Sequence, residues 1–254
     1  MTQDRVIPKT GLISCIICAF NEAPRIAAVL EIAVTHPQLG EVIVVDDGST
    51  DSTAEIVREF SSATLISYPE NRGKSFAMAT GVAAAHFDLL LLLDADLKGL
   101  TKEHITALAR PVLSGEADVS LSLRQNSLFM FRLIGLDFVS GERVLKKSVL
   151  GVALKEIKRL PRFGIEVFLN NQIIAQALRI AVVHWPHVTQ WRKTEKLGYW
   201  KGMLAEWKMI RDLFHASYPF ALMTQTYQML KLRCSRTDPT TSVTLIRKPR
   251  SESR

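Results

Sequence analysis

The chain has few cysteines and no long apolar run. With three cysteines in 254 residues, it is not a disulfide-rich secreted scaffold. The first residues do not match a secretory signal peptide, so we expect a cytoplasmic protein. No uninterrupted apolar stretch reaches the roughly 18 residues of a membrane-spanning helix. Cys15 and Cys18 have a C-x-x-C spacing but no second pair to complete a zinc site, and we interpret them as buried strand residues.

Charge is distributed unevenly along the chain. Residues 1–154 hold 14 Lys and Arg against 18 Asp and Glu, a net charge of −4, whereas residues 155–254 hold 18 against 7, a net charge of +11. The basic part predicts an acidic partner, for which nucleic acid, anionic lipid and a phosphorylated substrate all qualify.

Strand-like and helix-like segments alternate up to about residue 124, which predicts an α/β fold with a mostly parallel sheet flanked by helices. The expected strands are 12–19, 41–46, 64–68, the leucine run 89–93, 118–123 and 180–184, and the expected helices are 22–35, 53–60, 74–86, 101–115 and 165–178. The segment from 124 to 158 reads as basic and loop-rich.

The C-terminal part predicts a helical extension. We expect a domain over 1–190, amphipathic helices over 197–214 and 219–233 within an extension at 191–233, and a disordered tail at 234–254. The apolar stripe predicts peripheral contact with the inner face of an anionic membrane, or packing of both helices onto the sheet domain. Its members are Trp200, Met203, Leu204, Trp207, Ile210, Phe220, Met223, Tyr227 and Leu230.

Five leucines at 89–93 end in Asp94, Ala95 and Asp96. A buried strand of this length delivers both carboxylates to its carboxyl end, where α/β sheets bind ligands. Two like charges at one sheet edge repel unless a cation lies between them, and oxygen ligands suit Mg²⁺ or Mn²⁺. The alternative is a strand that runs into an acidic loop.

Three more polar loops follow the first three predicted strands. They are Ala19-Phe20-Asn21-Glu22, the segment from Asp46 through Asp47 to Asp51, and Asn71-Arg72-Gly73-Lys74. One parallel sheet gathers all four loops at one crevice.

These four motifs closely resemble the family-2 glycosyltransferases of the GT-A fold over about residues 11–125. Segments 139–145 and 163–167 are similar to the branch that includes glucosyl-3-phosphoglycerate synthases and polyprenyl-phosphate glycosyltransferases. The resemblance implies a nucleotide-sugar donor, with UDP favoured over GDP, and a phosphorylated, lipid-linked or saccharide acceptor. It also implies direct displacement with inversion at the anomeric carbon.

The resemblance implies a role for each motif residue. Ala19, Phe20 and Glu22 would line the nucleoside pocket, Asp47 would read the base or ribose, and Lys74 with Arg72 would complete the pocket. Asp94 would lie near the ribose and the metal, and Asp96 would be the main metal ligand. A further ligand would come from a late segment, for which His184, His187 and Gln190 are candidates and His187 is the first choice; either histidine could instead pack at a strand end.

The acceptor decides whether a general base is needed. For a hydroxyl acceptor, Glu166 is the first candidate base. A phosphate monoester is already ionised at pH 7, and basic residues would then hold the acceptor instead of forming a solvated loop. These residues are Arg143, Lys146, Lys147, Lys158, Arg159 and Arg162.

Two other classes compete with this interpretation. A nucleotidyltransferase would carry a G-x-G-T-R loop after the first strand, and none occurs. An anionic-membrane or nucleic-acid binding protein with a vestigial nucleotide-sugar domain would explain the basic part, but the charged residues of every donor motif are intact. We therefore expect an enzyme without a nucleic-acid partner.

Overall fold

The computed structural model describes residues 12–127, 129–150, 154–158, 160, 164–191 and 219–234. Seven strands form one sheet in the order β3-β2-β1-β4-β7-β6-β8, and β5 pairs with β9 in a small second sheet. The strands are β1 Ile13–Ala19, β2 Leu39–Asp46, β3 Ala63–Ser67, β4 Leu89–Asp94, β5 Leu97–Lys98, β6 Val119–Arg124, β7 Arg143–Lys146, β8 Ile180–Trp185 and β9 Thr189–Gln190.

Helices cover both faces of the large sheet. They are α1 Ile26–Ala33, α2 Thr53–Glu59, α3 Lys74–Ala84, α4 Lys102–Leu113, α5 Phe129–Ile134, α6 Leu154–Ile157, α7 Gly164–Ala175 and α8 Pro219–Lys231, with a 3₁₀ turn at Lys147–Val149. The alternation along β4 separates two cores: Leu90 and Leu92 belong to the core under α3 and α7, whereas Leu91 and Leu93 belong to the core under α1 and α4. The predicted fold class is confirmed, including its six strands.

The segment predicted as loop-rich contains the one antiparallel strand of the large sheet within the described residues. β7 lies between β4 and β6 and is antiparallel to both. Four residues are too few to show a period, so this strand is specified by its two neighbours rather than by its own sequence. Cys15 is buried in β1 and Cys18 is half-buried there, and both are free thiols, as predicted.

The last described segment packs on the sheet domain. Met229 of α8 is fully buried in the core that α7 covers, whereas Tyr227 is 59% exposed. Beyond α8, the backbone N–H of Cys234 donates to the carbonyl of Ile180 at the start of β8 (2.8 Å). No helix among the described residues is long and apolar enough to cross a membrane. The predicted helix 197–214 and the tail from 235 onward lie outside the described residues.

Candidate active site

The first four long strands bring their carboxyl ends to one edge of the sheet. In the parallel register, Ala19 of β1 pairs with Asp46 of β2, Asp46 pairs with Ser67 of β3, and Cys18 pairs with Asp94 of β4. The loops that follow these strands are therefore neighbours, as the sequence predicts.

The loops after β1 and β2 are bonded to each other. Asn21, which has a left-handed backbone (φ 55°), donates its N–H to the Ser49 hydroxyl (2.9 Å) and accepts the Thr50 N–H at its side-chain oxygen (2.8 Å). Glu22 forms a side-chain ion pair with Arg25. These bonds fix the strand end that presents Phe20, a residue that is 44% exposed.

Asp47 holds the loop after β3. Its two carboxylate oxygens accept the backbone N–H groups of Arg72 (2.9 Å) and Gly73 (2.8 Å), and its own N–H donates to the Ala19 carbonyl (2.9 Å). A carboxylate retains acceptor capacity after two bonds. Recognition of the base or ribose by Asp47 therefore stays a prediction. The two hydrogen bonds show that Asp47 positions the loop from Arg72 to Lys74.

Lys74, the first residue of α3, lies between two carboxylates. Its Nζ atom is 3.1 Å from Asp94 Oδ1 and 3.0 Å from Glu166 Oε1. Burial opposes the charge on Lys74, but the two carboxylates outweigh that effect and raise its pKa well above the usual value. The other Glu166 oxygen, Oε2, is buried without a hydrogen-bond partner, and the residue is 4% exposed.

Asp94 and Asp96 meet at the side chain of Gln190. Gln190 Nε2 lies 3.3 Å from Asp94 Oδ2 and 3.0 Å from Asp96 Oδ1. The β5–β9 pairing explains this contact, because Gln190 is opposite Leu97, the residue that follows Asp96.

His187 is the first choice for a third ligand from the sequence, and its role as a metal ligand stays a prediction. His187 is exposed in the turn between β8 and β9. Among the described residues, no three side chains of the His, Cys, Asp and Glu types form a metal-binding group.

Asp94 lies next to a buried ionic network that contains Arg124 and Glu142. Arg124 Nη1, at the end of β6, donates to Glu142 Oε1 (2.6 Å) and lies 3.8 Å from Asp94 Oδ2. Burial raises the pKa of Asp94, but Lys74 and Arg124 reverse this and hold it below its usual value. The pKa of Glu142 lies above its usual value. Burial raises this pKa most, and the negative charge of Asp94 raises it further, whereas the positive charge of Arg124 lowers it. Arg124 was not predicted, although its place at a strand's carboxyl end is the same signal that identified Asp94.

Arg143 supports the site from the interior, which corrects its predicted role as an acceptor contact. It is 1% exposed and donates to the Ser140 carbonyl (2.9 Å), the Asn170 side chain (2.7 Å) and the Phe138 carbonyl (2.8 Å). Burial lowers its pKa to about 10. A guanidinium enclosed in this way cannot reach a ligand in the crevice.

Two other basic side chains share one aromatic ring. The Arg72 guanidinium lies 3.6 Å from the centre of the Phe76 ring, and Lys158 Nζ lies 5.1 Å from it. Lys147 instead donates to the Ala85 carbonyl (2.7 Å). Arg159 and Arg162 lie outside the described residues.

The residues at this edge fit a hard divalent cation. Asp94, Asp96 and Gln190 all carry side-chain oxygens, the ligand type that Mg²⁺ and Mn²⁺ prefer. Asp96 accepts a hydrogen bond from the neutral Gln190 amide, and Asp94 forms an ion pair with the Lys74 ammonium group.

Comparison with known proteins identifies the family. A model of glycosyl transferase family 2 matches residues 14–142, just over half of the chain. The chain belongs to this family. It is 39% identical over 85 residues to succinoglycan biosynthesis protein ExoU of Rhizobium meliloti (strain 1021), covering 32% of this chain and 25% of that protein.

Other relatives of this glycosyl transferase family 2 chain include dolichyl-phosphate beta-glucosyltransferase ALG5C of Trichomonas vaginalis. The identity is 36% over an alignment of 100 residues, and the match covers 34% of this chain and 29% of that protein. The chain thus spans less than a third of the length of these relatives. The fold matches glucosyl-3-phosphoglycerate synthase of Mycobacterium tuberculosis, solved with Mn²⁺ and UDP-glucose, with a TM-score of 0.60, 24% identity and 72% coverage of each chain.

Proposed function

We propose that the protein is an inverting, metal-dependent glycosyltransferase that takes its sugar from a nucleotide-sugar donor, with UDP favoured over GDP. One observation carries the proposal: Lys74 lies 3.1 Å from Asp94 and 3.0 Å from Glu166. Lys74, a candidate donor contact, therefore lies in one crevice with Asp94, a candidate metal ligand, and with Glu166, the candidate base. The M. tuberculosis synthase of the same fold, solved with UDP-glucose and Mn²⁺, supports this donor class.

The donor side uses the loops after β1, β3 and β4. The exposed ring of Phe20 offers a face for a nucleobase, and the backbone that Asp47 fixes carries Arg72 and Lys74. Asp94 and Asp96 would hold Mg²⁺ or Mn²⁺. When bound, this ion neutralises negative charge that develops on the departing nucleoside diphosphate.

The acceptor side begins at Glu166. Lys74 holds Oε1 in place, and the unpaired Oε2 would accept a proton from an acceptor hydroxyl if the acceptor displaces the side chains that bury this oxygen. A single displacement at the anomeric carbon then forms the new glycosidic bond and releases the nucleoside diphosphate. If the attacking atom is a phosphate oxygen, Glu166 need not act as a base, and Lys158 is a cation that could attract the acceptor.

The net charge of +11 beyond residue 154 extends the proposal to an anionic acceptor or surface. A phosphorylated acceptor, or a lipid-linked acceptor at the inner face of a membrane, carries negative charge that this positive part of the chain would attract. We place the enzyme in the cytoplasm with peripheral contact to such a surface.

A donor turnover assay tests the proposed activity. Nucleoside diphosphate release is measured from a set of UDP- and GDP-sugars, with Mn²⁺ or Mg²⁺ and with EDTA. We expect metal-dependent release from the wild-type protein, lost in Asp96→Asn because a neutral amide binds the ion more weakly. Asp88→Asn is the matched control, because Asp88 lies just before the amino end of β4, and it should keep full activity.

Two outcomes would contradict the proposal. One is metal-independent turnover, and the other is an Asp96→Asn variant that matches the Asp88→Asn control. Once an acceptor is known, Glu166→Gln distinguishes the two mechanisms: loss of a general base costs about 10²–10⁴-fold in rate, whereas a phosphate acceptor predicts little change.

A further inference from the structure

Gln190 is held rigidly beside the two carboxylates. Its backbone N–H donates to Asn126 Oδ1 (3.1 Å), and its carbonyl accepts from Asn126 Nδ2 (2.8 Å), so one side-chain amide clamps both backbone groups of the residue. The N–H of Trp191 donates to the Asp96 carbonyl (3.3 Å). This clamp leaves the side chain of Gln190 as the part that can rotate.

The distances from Gln190 match those between neighbouring ligands of one ion. In an octahedral Mg²⁺ site with bonds of about 2.1 Å, adjacent ligand oxygens are about 3 Å apart. The terminal amide atom of Gln190 lies 3.0 Å from Asp96 Oδ1 and 3.3 Å from Asp94 Oδ2. These separations are those of hydrogen bonds, and they are also compatible with a third ligand oxygen beside the two carboxylates.

We propose that Gln190 is the third protein ligand of the divalent cation, and that its side-chain amide turns over when the cation binds. Without the ion, the NH₂ group faces two carboxylates that need donors. With the ion, half a turn about the terminal side-chain bond brings the amide oxygen to the same place, because the two ends of the amide have nearly the same shape. This inference rests on the proposed function.

The surroundings leave room for this exchange. Lys74 contacts Asp94 Oδ1, whereas Gln190 contacts Oδ2, so the amide and the ammonium lie on different oxygens. Arg124 is 3.8 Å from Oδ2 and is bonded to Glu142 at 2.6 Å. His187 belongs to a left-handed turn (φ 65°), and a Cβ atom at Gly99 would lie 2.5 Å from its carbonyl, so its backbone packs against the chain after β5.

Manganese binding tests the inference without measuring turnover. The EPR signal of free Mn²⁺ is titrated with protein, with and without UDP, and UDP alone gives the baseline. We expect Gln190→Ala to weaken Mn²⁺ binding by about tenfold or more. Gln190→Leu, which keeps the bulk of the side chain, is the second variant in case Gln190→Ala destabilises β9. Asp88→Asn is the control, because Asp88 lies just before the amino end of β4, and it should bind Mn²⁺ like the wild type.

Gln190→Glu separates a ligand from a structural linker. A carboxylate at 190 supplies a ligand oxygen, so we expect Mn²⁺ affinity equal to or above that of the wild type. If Gln190 only donates hydrogen bonds to hold Asp94 and Asp96, the Glu variant must bind more weakly, and this result would overturn the inference. Unchanged affinity in folded Gln190→Ala or Gln190→Leu would overturn it too, with the proposed function intact. No Mn²⁺ uptake by the wild type, even with UDP, would overturn both.

Discussion

At the scale of single residues, Asp94 depends on the absence of a side chain at Gly141. A Cβ atom built at Gly141 would lie 2.5 Å from Asp94 Oδ1 and 2.6 Å from Oδ2. The carboxylate therefore rests directly on the backbone of the chain that leads into β7. Lys74, which also contacts the candidate base Glu166, and Gln190, which also contacts Asp96, both bind this carboxylate. A shift of Asp94 would therefore affect both the candidate base and the candidate metal site.

Gly141→Ala tests this contact. The added methyl group must displace Asp94 or the loop, so we expect a loss of stability of about 1–3 kcal/mol and weaker Mn²⁺ binding. Thermal unfolding and Mn²⁺ titration measure the two effects. In a double-mutant cycle with Asp94→Ala, the stability cost of Gly141→Ala should shrink, because the clashing carboxylate is gone. Additive stability effects would show that the two residues are not coupled.

At the scale of elements, the crevice is assembled by loops that hold each other. Gly48, in the turn after β2, has a φ of 74°, and a Cβ atom there would lie 2.5 Å from the backbone of Glu70. The adjacent Asp47 bonds the backbone of Arg72 and Gly73. The turn after β2 thus sets the position of the turn after β3, and with it the start of α3.

Asp47→Ala tests this arrangement. Loss of two hydrogen bonds to a charged group, each worth roughly 1.5–3 kcal/mol, should loosen the loop that carries Lys74 and weaken UDP-sugar binding by at least tenfold. Calorimetric titration gives the affinity, and tryptic cleavage after Arg72 should become faster because the loop is less constrained. Asp88→Asn is again the control. Unchanged donor affinity together with unchanged cleavage would refute the role of Asp47.

The elements also show where sequence reasoning succeeds. The leucine strand ending in Asp94 was predictable, because a buried parallel strand carries its own apolar signature and its end marks the ligand edge. β7 and β9 carry no such signature, since four and two residues cannot display a period. Gln190 could be listed as a candidate ligand, but its contact with Asp94 and Asp96 depends on the β5–β9 register. Likewise, the burial of Arg143 follows from the pairing of β7 between two strands.

At the scale of the whole molecule, the chain separates its charges. The residues up to 154 supply the two candidate metal-binding carboxylates, Asp94 and Asp96, and have a net charge of −4, whereas the residues from 155 onward have a net charge of +11. Within the described part of this basic portion, α8 buries Met229 in the core but leaves Tyr227 exposed, with Lys231 Nζ 4.5 Å from the centre of its ring. One face of α8 therefore stabilises the domain, and the other is open to a partner.

Vesicle binding tests the use of this charge. The full chain should co-sediment with vesicles that contain anionic lipid but not with zwitterionic vesicles, and binding should fall as salt is raised, because exposed charges are screened beyond a Debye length of about 8 Å at 0.15 M salt. Two variants that change the net charge equally locate the effect. Lys231→Glu, on α8, should weaken binding more than Arg58→Glu, on α2 in the acidic part. Equal losses would mean that total charge alone governs the attraction. If the wild-type chain stays in the supernatant with anionic vesicles at low salt, membrane contact is refuted, and a soluble phosphorylated or saccharide acceptor is the one to pursue.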